Sequence, residues 1–143
     1  MTLPRQKSRE IVFLLLFSSE LQSDLEEIVP LVMEQLKVTK KDVRASCDRV
    51  YAILEKIESI DSMIKECSTE FDFDRIQKVE LNVIRLGIYE ALYDEGIPYK
   101  VAVSEAMRMC KKFSTQEAVA FVNAIIDKAC SHDKEAPKLS DSE

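Results

Sequence analysis

The stretch 79–90, VELNVIRLGIYE, limits the possible folds of this chain more than any other segment. On a helical wheel Lys78, Asn82, Arg85 and Tyr89 share one narrow polar stripe, while Leu81, Val83, Ile84, Leu86, Ile88 and Ala91 occupy most of the remaining circumference. A helix apolar over so much of its girth needs neighbours on several sides, so this one is expected at the centre of a helical domain. Glu80 breaks the pattern, projecting from the apolar arc between Ile76 and Gly87 and beside Val83 and Ile84. A carboxylate placed there must find a partner inside the domain or lie under a surface that another molecule covers.

The signals around this stretch set its limits. Asp74, with Gln77 three residues on, has the form of an N-terminal cap. Gly96 before Ile97 and Pro98 suits a left-handed glycine stop. Gly87 lies mid-helix, where glycine costs about 1 kcal/mol relative to alanine. That cost implies a second helix crossing close by.

Helical spacing recurs along most of the chain. Pro4 opens a first helix running to about Leu21, with Ile11, Leu14, Leu15 and Leu21 inward and Arg5, Arg9, Phe13 and Phe17 at spacing four on another face. Phe13 reads as core. A capping box over 23–26 starts a second helix, inside which Pro30 marks either a kink or the true beginning. A second box at 39–42 starts a third, with Val43, Cys47, Val50, Tyr51, Leu54 and Ile57 at helical spacing. A short helix over 59–67 carries Ile60 and Ile64 and leads into an acidic, aromatic loop. Residues 99–113 form a sixth helix with Val101, Val103, Ala106, Met107 and Cys110 inward. A third box, 114–117, opens a seventh through Ala118, Phe121, Val122, Ile125, Ile126 and Ala129.

With two glycines, no tryptophan, 46% hydrophobic and 32% charged residues, the fold class is all-α, a compact helical domain of about seven helices over residues 1–130. Residues 131–143 are polar and aperiodic and read as a disordered tail. Cys47, Cys67, Cys110 and Cys130 are too scattered for a zinc or redox pair and read as reduced, mostly buried thiols. The apolar run 11–17 is far shorter than the roughly 20 residues that span a bilayer, so a cytoplasmic protein without a membrane partner is expected.

The net charge of −6 argues against indiscriminate coating of nucleic acid. Its distribution is uneven. In residues 1–17, Arg5, Lys7 and Arg9 against Glu10 leave +2; in 98–113, Lys100, Arg108, Lys111 and Lys112 against Glu105 leave +3. Residues 54–74 carry −5, seven acids against Lys56 and Lys65. The two basic segments are either an anion-binding face or ordinary solvated helix faces. His132, the one histidine, falls in the tail; no glycine-rich phosphate loop is present, and 66–74 lacks the ligand spacing of a calcium loop. Nothing in the residues calls for a catalytic site or a cofactor.

The order and spacing of Arg9-Glu-Ile-Val12, Leu16-Phe17, Val79-Glu80, Ile84-Arg-Leu-Gly-Ile-Tyr-Glu90, Ile97-Pro-Tyr-Lys-Val-Ala-Val-Ser-Glu-Ala106, Lys111-Lys-Phe113 and Phe121-Val-Asn-Ala-Ile-Ile-Asp-Lys128 resemble the bacterial transcription antitermination factor NusB family. The resemblance, over residues 9–128, implies helices in two small bundles, binding of boxA RNA from the nascent rRNA transcript, and pairing with the ribosomal protein NusE within the transcription elongation complex. By position, Arg5, Lys7 and Arg9 match the family's RNA-binding arm, Glu117 and Phe121 match positions near RNA, and Glu80 matches a position at the protein partner's interface. Phe17 stands where the family often has tyrosine, near both surfaces. Ser114 and Ala124 replace glycines usual in the family, and the basic arm is thinner than in members with consecutive arginines. Two other classes are a protein-interaction module without RNA binding and a homodimer using the Glu80 surface.

Overall fold

The computed structural model describes residues 3–21, 24–67 and 72–131. These form seven α-helices and one short 3-10 turn, with no strand among the described residues. The expectation for the tail lies, apart from Ser131, outside them. The chain divides into two compact units, Met1–Glu55 and Lys56–Glu143.

The first unit is a three-helix bundle of α1 (Arg5–Leu21), α2 (Leu25–Leu36) and α3 (Lys40–Glu55), each packed on the other two. Ile11, Phe13 and Leu15 of α1, Ile28 and Val32 of α2, and Val43, Val50 and Ile53 of α3 are buried. Burying an aliphatic side chain of this size contributes about 1.5–3 kcal/mol. Asp24 starts α2, its side chain accepting the Glu26 amide at 3.0 Å. Pro30 therefore falls inside a helix that has already begun. It is exposed, so the bond it cannot donate is missing on the solvent side. Thr39 and Asp42 form the expected reciprocal box at the start of α3, each side chain accepting the other's amide at 3.1 Å. The inward stripe of α3 differs from the expected one: Val43, Ser46, Val50 and Ile53 are buried, whereas Tyr51 is 53% and Leu54 37% exposed.

The second unit is built around α5 (Lys78–Tyr93), on which α4 (Ile57–Glu66), α6 (Tyr99–Phe113) and α7 (Ala118–Ala129) pack. Every residue from Leu81 to Tyr93 is buried, as the apolar girth requires. A Cβ added at Gly87 would lie 2.9 Å from Ile126 Cδ1 and 3.2 Å from Ala106 Cβ, so the expected close crossing is made by both α6 and α7. The buried face of α6 differs from the expected one. Ala106, a small residue, stands at Gly87 and is buried with Ala102, Met109 and Cys110, while Val101 is 43% exposed and Val103 and Met107 are half-buried.

The ends of α5 depart from expectation. Asp72 caps the 3-10 turn Phe73–Arg75 through the Asp74 amide, and α5 begins later, behind Gln77, without a side-chain cap. At the other end no glycine has positive φ. Asp94 turns the chain instead, its carboxylate accepting the Gly96 amide at 2.8 Å and its carbonyl the Ile97 amide at 3.2 Å. The box expected at 114–117 is replaced by Thr115, whose hydroxyl accepts the Ala118 amide.

Candidate functional site

In the first unit, the candidate residues lie on α1. Arg5 is exposed, and Lys7, half-buried, holds its Nζ 3.8 Å from Glu10 Oε1 one turn on. Arg9, at spacing four from Arg5, is buried to 8% exposure and Glu10 to 3%. Phe13 is core, as its spacing suggests, and its ring stacks on half-buried Phe17 with centroids 6.2 Å apart. The stripe thus runs from a solvated cation at Arg5, through a sunken cation and ring, to a ring at the margin. Arg5 is the exposed cation of the stripe, Lys7 faces the Glu10 carboxylate, and Arg9 is sunk below the surface.

In the second unit, Glu117 and Phe121 share a face at spacing four at the start of α7. Both are exposed, the ring at 37%, on the flank of buried Val122 and Ile125. An exposed phenylalanine beside a polar helix start is a surface on which a base can stack.

Glu80 belongs to α5 of the same unit. It lies two turns from Gly87 on the α5 face that meets α6 and α7, and it is half-buried, with Oε2 out of contact with solvent. That oxygen has no hydrogen-bond partner among the described residues. Its charge is felt by Cys110 on α6, whose thiol pKa is pushed up by burial and, after that, by Glu80. A buried carboxylate oxygen without a donor is costly, and a donor from outside the chain would relieve the cost.

The polar stripe of α5 is used internally. Arg85 makes a bidentate ion pair with Asp61 of α4, at 2.9 Å through Nε and 2.8 Å through Nη2, and Nη1 donates to Asn82 Oδ1 at 3.2 Å. Tyr89 stacks on Tyr93, over which Lys56 is placed 5.8 Å from the centroid. The stripe was visible in the sequence, but Asp61, 24 residues away, carried no local signal. The four cysteines are free, with Cys47 half-buried and the others buried. No described helix is long and apolar enough to cross a membrane.

These features define a class of protein, an all-helical domain in two bundles with a basic leading helix and an unsatisfied carboxylate near the start of its central helix. Residues 6–131 match the NusB family. The chain is 37% identical to the transcription antitermination protein NusB of Ruminiclostridium cellulolyticum over 90% of either chain, and 37% identical to that of Agathobacter rectalis over 87% of this chain and 97% of the relative. It superposes on the solved structure of T. maritima NusB with a TM-score of 0.75 at 30% identity, covering 92% of this chain and 93% of the other. A chain from a crystal structure of the antitermination factors NusB and NusE in complex with dsRNA gives 0.72 at 25% identity, covering 90% and 96%. The chain belongs to the NusB family.

Proposed function

We propose that this chain is a non-enzymatic transcription antitermination factor of the cytoplasm that binds boxA-type single-stranded RNA together with NusE during rRNA operon transcription. The observation that carries the reading is the Glu80 carboxylate oxygen, buried and unsatisfied among the described residues, in a chain whose fold is shared with a NusB seen beside NusE and RNA. A basic side chain of the protein partner supplies the missing donor, in a setting where desolvation makes the pairing strong. Arg5 and Lys7 take RNA phosphates, Arg9 supports them from beneath, Phe121 takes a base with Glu117 beside it, and Phe17 lies at the margin of both partners' surfaces. Each contact is modest, and binding both partners at once raises the effective concentration of each for the other.

The test is binding of boxA-like RNA, with NusE present, to the double variant Arg5→Glu, Arg9→Glu across a salt series. Loss of affinity with a shallower salt dependence is expected. Affinity and slope equal to wild type would remove the arm from the account. Binding of NusE with no RNA contribution at any salt would favour a protein-interaction module instead.

A further inference from the structure

The outer flank of α3 has no part in the function above. Lys40, Arg44, Cys47, Tyr51 and Leu54 follow one another at spacings of four, three, four and three, the repeat by which one helix seats along another. This seam is open: Tyr51 is 53% and Leu54 37% exposed, Cys47 is half-buried and Lys40 exposed. Arg44 is held at its border by Glu26 of α2, whose Oε2 lies 3.0 Å from Nη2. Beside the seam Lys41, Asp48 and Glu55 recur every seven residues, all exposed, and Lys37 adds an exposed cation in the turn ahead of α3. No ion pair or hydrogen bond among the described residues engages the side chains of Lys40, Lys41, Asp48, Tyr51 or Glu55. The order of these charges opposes the helix dipole, which favours acids in the first turn and cations in the last. Lys40 and Lys41 stand in the first turn beside the capping Asp42, and α3 ends on Glu55 with no basic residue in its last turn. Helix stability therefore does not account for them.

We propose that this flank binds a second copy of the chain, α3 against α3 in antiparallel orientation, about a two-fold axis near Cys47 and Asp48. The charge order selects the occupant. A stripe that is basic in its leading half and acidic in its trailing half is complementary to itself when reversed, and a two-fold interface asks that of a single surface. Reversal brings Lys41 of each copy to Glu55 of the other, so the pairing is made twice. It also turns each Tyr51 ring towards Arg44 of the opposite copy, where an aromatic face can cover the guanidinium. A parallel pairing would set lysine on lysine and glutamate on glutamate. Asp48 approaches its own copy at the axis, and one helix seam is small for an interface, so the dimer is weak and depends on concentration. The flank lies wholly in the first unit and uses neither the basic residues of α1 nor Glu80.

The experiment is sedimentation equilibrium of the full chain, without RNA or NusE, from micromolar to millimolar concentration. Wild type is compared with Lys41→Glu, with Glu55→Lys, with an equimolar mixture of these two, and with the double variant carrying both. Both positions are exposed, and each substitution gives a helix end the charge its dipole favours, so folding is expected to be retained. The wild-type mass should rise towards twice the monomer. Each single variant should dimerise at least about tenfold more weakly, because both cross-copy pairs become like-charged. The mixture and the double variant should recover the dimer, because every such pair is again of opposite sign. Tyr51→Ser, which changes no charge, should also weaken it. A wild type that stays monomeric at millimolar concentration overturns the proposal, as does a dimer that both single variants leave intact or a mixture that stays monomeric. A dimer dissociated by Glu80→Lys but by neither single variant assigns self-association to the other surface and also overturns it. Loss of RNA binding in the Arg5, Arg9 variant bears on the function above and leaves this inference standing.

Discussion

Replacing Glu80 by methionine should make the isolated protein more stable while weakening its hold on the partner. Methionine nearly matches the length of glutamate and carries no group that needs a donor. A buried polar atom left without a hydrogen bond costs about 1–3 kcal/mol. Only one of the two Glu80 oxygens is buried and unsatisfied, so the lower end applies and the gain is about 1 kcal/mol. In a chain of this size that corresponds to roughly 2–4 °C in Tm. Truncating one side of a desolvated charge pair at an interface costs about 2–5 kcal/mol, roughly thirtyfold or more in Kd. Scanning calorimetry of the protein alone and titration with NusE measure the two halves separately. Glu80→Gln, which keeps the shape and a polar head, should lose partner affinity with a smaller change in Tm. A Tm that falls by several degrees in Glu80→Met would mean that the carboxylate has a partner within the chain. An unchanged affinity for NusE would remove Glu80 from the interface.

Asp61→Ala leaves the Arg85 guanidinium, 10% exposed in its side chain, without its bidentate acceptor, and should cost about 3 kcal/mol in chemical denaturation; a loss below 1 kcal/mol would refute the α4–α5 lock. Gly87→Leu must displace Ile126 and Ala106 and should cost about 3 kcal/mol or prevent folding, whereas Gly87→Ala sets overpacking of about 1–3 kcal/mol against a helix-propensity gain of about 1. Wild-type stability in Gly87→Leu would show that the helices are not in close contact there. The Tyr99 hydroxyl, pushed up to about 12 by burial and then by Cys130 and Asp127, holds its proton more tightly than in the unfolded chain. Its contribution is whole below about pH 10 and is lost as pH rises towards 12, so Tyr99→Phe should flatten that part of a stability–pH curve and leave the neutral range unchanged.

Periodicity reached the helices but not always their rotation. Along α3, the seam of Val43, Ser46, Val50 and Ile53 and the flank of Cys47, Tyr51 and Leu54 run one residue apart, and hydrophobicity favoured the flank because Ser46 is polar. Along α6, the close approach at Gly87 is made by Ala106, and the buried face centres on it, leaving Val101, Val103 and Met107 further out. Gly87 itself signalled that approach, yet which face of α6 would meet it depends on contacts far apart in sequence. Local polar competition decided the caps. Asp24, Thr115 and Asp94 each lie within a residue or two of the expected cap, because several short polar side chains compete for the same amides. Glu80 was legible as an anomaly from its place in the apolar arc. The partner of Arg85 was not, since Asp61 belongs to another helix.

The central claim is that RNA and NusE bind this chain together, and a polarisation titration of boxA-like RNA with and without NusE tests it most directly. The chain alone should bind RNA weakly and with strong salt dependence, and NusE should tighten binding by at least about tenfold. RNA affinity that NusE leaves unchanged, or no RNA binding at low salt with NusE saturating, would contradict it.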